Sequence, residues 1–286
     1  MFKQYLEMEG TVMEANGLNT KTIRYSRQII TDEIGKEGQE KLLKAKVLVV
    51  GAGGLGCPVL TYLVSAGVGT IGIVDFDTVG LSNLNRQTLY RTEDIGKKKV
   101  HAAKETLTKL NEDVTIHTYP LRIDVDNTEE LIQEYDIVVD ALDNFSARYL
   151  LSDACYFQKK TLVEGAAVST YGTATTIIPD VTPCYRCLYP VPPADGVTPS
   201  CSDVGVLGMI TGIIGSIQAL EVIKVVVGFG EPLFGRMVYF DGSYLELQEF
   251  EYKKSKECPI CGENPTVLEL EQYEIKCKLK LVDSKE

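Results

Sequence analysis

The chain is short of positive charge: 286 residues carry 29 Lys and Arg against 40 Asp and Glu, a formal net charge of −11. That balance excludes a general nucleic-acid binder, which would spread a basic patch over a basic background. Histidine is nearly absent. The two copies, His101 in a lysine-rich helix and His117 on the polar face of a strand, have no nucleophile beside them, and no Gly-x-Ser-x-Gly elbow exists. A Ser-His-Asp hydrolase is therefore disfavoured. The opening Met1-Phe-Lys-Gln-Tyr-Leu-Glu lacks a signal peptide's apolar centre, so the eight cysteines read as reduced thiols of a cytoplasmic protein and not as a disulfide scaffold. No uninterrupted apolar run reaches the ~20 residues of a membrane span. The stretch at 204–229 comes nearest, but Gln218, Glu221 and Lys224 interrupt its second half. It reads as a buried helix at a subunit interface. Internal repeats and low-complexity segments are also missing, and the 44% apolar fraction supports a sizeable core.

What is present concentrates between residues 47 and 99. Val47-Leu-Val-Val50 is apolar and β-branched throughout, as a parallel strand buried on both faces requires. It runs into Gly51-Ala-Gly53-Gly54-Leu-Gly56, where glycines permit a tight turn and bring backbone N–H groups to a phosphate at a helix start. A second strand, Thr70-Ile-Gly-Ile-Val-Asp75, ends in an acid placed for a ribose. These features alone would suit an NAD-dependent oxidoreductase or a non-catalytic nucleotide module. The following Asn83, Arg86 and Gln87, then Lys97-Lys98-Lys99, change the balance. A triphosphate carries more charge than a dinucleotide, and its cleavage needs cations on the developing anion. For Lys97 and Lys98 a solvated helix face is the plain alternative.

Along the chain, helical patterns at 26–46, 58–66, 98–110 and 146–157 alternate with strand patterns at 70–77, 114–123, 136–143 and 161–168. After Val168 the pattern turns to β segments at 171–179 and 237–252, the latter with a hairpin signal at Asp241-Gly242. The expected fold is α/β: a Rossmann-like, doubly wound, mostly parallel sheet with a C-terminal antiparallel β and zinc-knuckle extension.

Two C-x-x-C turns, Cys184-Tyr-Arg-Cys187 and Cys258-Pro-Ile-Cys261, together offer four thiolates to a tetrahedral zinc ion, leaving no open position for catalysis. Ordinary reduced cysteines are the alternative. Cys201 precedes the apolar helix, where a dipole would favour its thiolate; an inert small residue is equally consistent. Cys57 and Cys155 read as core, and Cys277 carries no signal. Asp143, at the carboxyl end of a central strand, suits Mg²⁺ on a triphosphate, while a simple helix cap with Asn144 is the competing reading.

Taken together, Arg24-Tyr-Ser-Arg27-Gln-Ile-Ile, the glycine loop, Val74-Asp-Phe-Asp77, Leu81-Ser-Asn-Leu-Asn-Arg86-Gln, Asp140-Ala-Leu-Asp143-Asn, Pro183-Cys-Tyr-Arg-Cys187 and Gly215-Ser-Ile-Gln-Ala-Leu-Glu-Val-Ile-Lys224 resemble the ThiF/MoeB/HesA enzymes, prokaryotic relatives of ubiquitin-activating enzymes. The resemblance implies an adenylation domain at 23–262, with an N-terminal extension at 1–22 and a tail at 263–286. It implies that ATP adenylates the C-terminal glycine of a ubiquitin-like sulfur-carrier protein and that pyrophosphate is released. By that likeness Gly51, Gly53, Gly54, Gly56, Asp75 and Asp77 hold the nucleotide. Asn83, Arg86 and Lys99 contact phosphates, Gln87 joins the nucleotide site, Asp143 binds Mg²⁺, and Arg27 reaches over from the second subunit of a homodimer. Cys184, Cys187, Cys258 and Cys261 match the family's zinc ligands. Cys201 falls where some members carry a cysteine for later thioester or persulfide chemistry. Residues 263–273 resemble the linker to a rhodanese domain in some relatives, so sulfur is expected from a separate donor. The carrier and its pathway stay open, as does activation of a different carboxylate on an amino acid, peptide or tRNA.

Overall fold

A computed structural model describes residues 23–193 and 204–273. After a single helical turn, α1 (Ser26–Ile29), come α2 (Gly35–Lys44), β1 (Lys46–Val50), α3 (Gly56–Ala66) and β2 (Thr70–Val74). Next are α4 (Lys99–Leu110), β3 (Thr115–Tyr119), α5 (Thr128–Gln133), β4 (Ile137–Asp140), α6 (Phe145–Phe157) and β5 (Thr161–Val168). The remainder holds β6 (Tyr171–Ile177), the short α7 (Tyr185–Leu188), the long α8 (Gly208–Val227), β7 (Arg236–Asp241) and β8 (Glu246–Glu251).

The strands form one eight-stranded sheet in the order β3-β2-β1-β4-β5-β6-β7-β8. The first five pair in parallel and the last three are added antiparallel, which is the expected architecture. Alternate residues of β1 serve opposite faces, as strand geometry dictates. Val47 and Val49 join the core under α3, α4 and α8, whereas Leu48 and Val50 join a second core under α5 and α6. The chain leaves β1 for β2 on one side and reaches β4 on the other, so a crevice opens at the carboxyl ends of β1 and β4. Ligands bind at such switch points.

Several boundaries differ from the sequence pattern. The helical stretch at 26–46 is two helices, because Gly35 adopts φ +57° and the chain turns between them. The strand expected over 136–143 ends at Asp140, which leaves Asp143 in the following loop. Helix α5 carries no strong periodic signal and emerges only in the structure.

Helix α8 is the one described helix long and apolar enough to cross a membrane by composition, yet it lies across the first core. It packs on α3, β5 and β6, and its Gln218 amide is buried, donating to the Asp140 and Val163 carbonyls at 2.7 and 3.3 Å. Polar bonds of that kind belong to a protein interior.

Candidate active site

The glycine loop is held by contacts only glycine allows. Gly51 sits at φ +104°, and a Cβ there would lie 2.5 Å from the Ala141 carbonyl oxygen. The loops after β1 and β4 therefore touch, closing the floor of the crevice. Gly56 opens α3 against the Gly51 carbonyl, where a Cβ would come within 1.9 Å. Its role is to fix the turn, and it does not line the cavity described next.

A cavity of about 1030 Å³ occupies the switch point. It is lined by Gly51, Gly53 and Gly54, by Asp75 and Asp77 after β2, and by Arg86, Gln87, Lys99 and Asp143. The structure thus brings together almost all the residues expected at the nucleotide. Asn83 is set apart: its Oδ1 accepts the Gly80 N–H at 3.0 Å, shaping the loop that presents Arg86. Arg27 lies on α1 and does not line the cavity of its own chain. Cys201 lies outside the described residues.

Asp75 organises the loop. Its two oxygens accept the Ala52 and Asp77 N–H groups, each at 2.8 Å. Burial pushes its carboxyl above the ordinary range, against the Lys99 cation and those two donors. Lys99 opens α4, is buried, and places Nζ 2.9 Å from Asp77 Oδ2. Its two lysine neighbours have other duties. Lys97 pairs with Asp94 at 3.0 Å and Glu105 at 3.2 Å, and Lys98 donates to the Phe76 carbonyl, so only Lys99 of the three lines the cavity. Gln87 Oε1 is buried without a hydrogen-bond partner among the described residues, an acceptor left for a ligand or water.

The loop after β4 separates the two readings of Asp143. Asn144 is the cap of α6, its Oδ1 accepting the Ala147 N–H at 2.9 Å. Asp143 is exposed to the cavity and makes no hydrogen bond or ion pair among the described residues.

Sequence reasoning missed the support beneath this loop. Arg148, one turn into α6, pairs with Glu164 and donates to the Leu142 and Gly165 carbonyls, tying the ends of β4 and β5 together next to Asp143. Glu164 stands in register with Asp140, whose Oδ1 accepts the Leu142 N–H at 3.0 Å. The available signal was one acid inside the apolar run Leu162-Val-Glu-Gly-Ala-Ala. Burial raises Glu164 to about 7, with Arg148 opposing and Asp140 reinforcing the shift.

A raised carboxyl contributes stability below its unfolded pKa and loses it as pH climbs through the folded one. Between 4.5 and about 7, Glu164 is expected to withdraw ~3 kcal/mol of stability. Urea unfolding across that range should show this loss in the wild type and not in Glu164→Gln, which has no proton to release. Parallel profiles for the two proteins would contradict the assignment.

The four cysteines of the two C-x-x-C turns converge, with all four sulfurs within 4.8 Å of one another. The Cys184–Cys187, Cys184–Cys258 and Cys187–Cys261 sulfurs stand 3.3–3.9 Å apart, close to the ~3.8 Å edge of a tetrahedron with metal–sulfur bonds of ~2.3 Å. The Ser255 and Cys261 N–H groups donate to Cys187 and Cys258 sulfur at 3.4 and 3.5 Å, the outer support such ligands need. A Cβ on Gly262 would strike the Cys258 and Lys256 carbonyls at 2.5 Å, which explains glycine after the second turn. Cys57 and Cys155 are buried core residues, their thiols raised by burial, as expected.

Comparison with known proteins bears on what this arrangement is for. Residues 25–260 match the ThiF family. The chain belongs to that family. A Thermus thermophilus protein named sulfur carrier protein adenylyltransferase is 45% identical over 262 residues, 90% of this chain and 97% of that one. The SAMP-activating enzyme E1 of Haloferax volcanii is 45% identical over 244 residues, 85% of this chain and 90% of its own. Adenylyltransferase and sulfurtransferase MOCS3 of Culex quinquefasciatus is 47% identical over 266 residues, but this ThiF-family chain spans only 61% of it. Among solved structures, Escherichia coli MccB with MccA-N7isoASN aligns at a TM-score of 0.75 and 25% identity, covering 84% of this chain and 74% of that one. A dehydrogenase reading, resting on the glycine loop and Asp75 alone, is set aside by the family.

Proposed function

We propose that this ThiF-family chain is an ATP-dependent adenylyltransferase acting on the C-terminal glycine of a ubiquitin-like sulfur-carrier protein. The observation that carries the reading is a single cavity that holds the glycine loop, the cations Arg86 and Lys99 and the uncommitted carboxylate of Asp143. In the reaction a carboxylate oxygen of the carrier attacks the α-phosphorus, and the bond to the β-phosphate oxygen breaks. Its electron pair leaves with pyrophosphate, and an acyl-adenylate remains. Little covalent help is available to such a step, so rate comes from alignment and from neutralising the leaving group.

The roles follow the groups. Asp75 takes the ribose, the glycine loop cradles phosphate, and Arg86, Gln87 and Lys99 hold the phosphate chain, with Asn83 shaping their loop. Asp77 anchors Lys99. Asp143 suits Mg²⁺, a hard cation that when bound adds positive charge to the phosphates. Arg27 completes the site from the second subunit of a homodimer. Two observations favour that dimer: Arg27 is away from its own cavity, and α8 and its cap expose Leu207, Met209 and Leu220.

The four-cysteine cluster takes zinc, in keeping with a reducing cytoplasmic compartment for described cysteines that are all free thiols. Cys201 serves the later sulfur step. The carrier's folded part docks on the β7–β8 hairpin. There Tyr239 of β7 stacks at 5.8 Å on Tyr171 of β6, both lining the cavity, and the run continues to the exposed Phe250. Neither a nucleic acid nor a membrane enters this scheme. Carrier-dependent exchange of pyrophosphate into ATP is the test.

A further inference from the structure

Arg186 lies against two neighbouring aromatic rings, its guanidinium carbon 4.9 Å from the Tyr149 ring centre and 5.2 Å from that of Tyr273. Its Nε and Nη2 grip Asp153 at 2.9 and 2.7 Å, and both charges are buried. A buried ion pair persists only with its hydrogen bonds complete. One of those bonds runs from Nη2 to Tyr273 Oη, which donates onward to Glu271 at 3.0 Å. The clamp therefore fixes a tyrosine from beyond the cysteine cluster. Residues 263–273 return from that cluster, Leu270 and Tyr273 pack on the second core, and Gln272 and Tyr273 line the same cavity as Asp143.

This wall differs from the nucleotide end. The phosphate loop and the cations Arg86 and Lys99 lie on the segments after β1 and β2. Tyr273 packs 5.9 Å from Tyr149, whose ring meets Tyr185 at 5.2 Å, and Tyr185 and Tyr189 line the cavity with Tyr273. Flat rings suit an extended, uncharged segment without side chains. A glycine tail has the most conformational freedom to lose on binding, so a wall fixed in advance lowers that cost.

We infer that Tyr273 is a positioning residue for the carrier's glycine tail, set in place by the Asp153–Arg186 clamp. The inference rests on the adenylation reading and assigns one wall of its acceptor site. The experiment is carrier-dependent ATP–pyrophosphate exchange with the full chain as wild type, Tyr273→Ala, Tyr273→Leu and Tyr273→Phe, each checked for a cooperative thermal transition. The probe is a purified ubiquitin-like carrier ending in Gly-Gly that supports exchange by the wild type. Tyr273→Ala is expected to raise KM for the carrier about tenfold with kcat and KM for ATP within about twofold, and Tyr273→Phe, which keeps the ring but loses the hydroxyl bond to Arg186, to raise it less. Should the Ala variant fail to fold, Tyr273→Leu carries the same expectation. An unchanged carrier KM in a folded Ala or Leu variant would overturn the inference. So would an equal loss towards ATP and carrier, the mark of a purely structural tyrosine. Failure of the wild type with every carrier would instead bring down the adenylation reading itself, and this inference with it.

Discussion

Asp143→Asn is expected to lower kcat for adenylate formation by on the order of 10²–10³ while leaving the melting temperature nearly unchanged. The two halves of that expectation have separate grounds. Asp143 makes no hydrogen bond or ion pair among the described residues and is exposed to the cavity, so the fold gives up nothing when its charge goes. The cap of α6 stays intact because Asn144 supplies it. The charge itself matters only when a cation must be held against phosphates that become more negative as the leaving group departs. Arg86→Ala should behave similarly, since its side chain is half-buried and, among the described residues, its guanidinium bonds only the neighbouring Ser82 and Asn85. Lys99→Ala is the less clean variant: it leaves Asp77 without its partner and Asp75 without its nearest cation. A steady-state assay with a melting curve checks all three. Full activity of Asp143→Asn would return Asp143 to the role of a loop residue.

The second large effect concerns the cysteine cluster. Metal analysis should find about one zinc per chain, because four thiolates at tetrahedral spacing form a closed structural site. Removing one ligand by Cys258→Ser is expected to cost on the order of 4 kcal/mol or more. Metal binding at such sites is folding free energy, since no preformed site survives unfolding. Loss should appear first around the second C-x-x-C turn and the strap leading to Tyr273. Hydrogen exchange during chelation should therefore release residues 254–273 before the strands β1, β2 and β4, which are buried on both faces. A metal-free protein of unchanged stability would contradict the assignment.

The fold was legible from the sequence because its strands are buried on both faces and read as short apolar runs broken by glycine or acid. Val47 to Val50 and Ile137 to Asp140 announce themselves in that way. The site was legible where local chemistry forces residue type, as with Gly51 against the Ala141 carbonyl and the paired C-x-x-C turns. It was not legible where partners meet only through the fold. Arg148 and Glu164 sit on different elements, and nothing in their local spacing joins them. Tyr273 ends a stretch that resembles only a linker and gains meaning from Arg186, which itself sits between Cys184 and Cys187 in the chain. Lys97, Lys98 and Lys99 are alike in sequence, and only their placement shows that one of the three reaches the cavity.

The central claim is that the substrate carboxylate belongs to a carrier's C-terminal glycine. It is tested most directly by ATP–pyrophosphate exchange with purified ubiquitin-like carriers, each compared with a form lacking its terminal glycine. The account predicts exchange that requires one carrier and disappears when that single glycine is removed. Exchange supported by free amino acids, with none from any carrier, would contradict it.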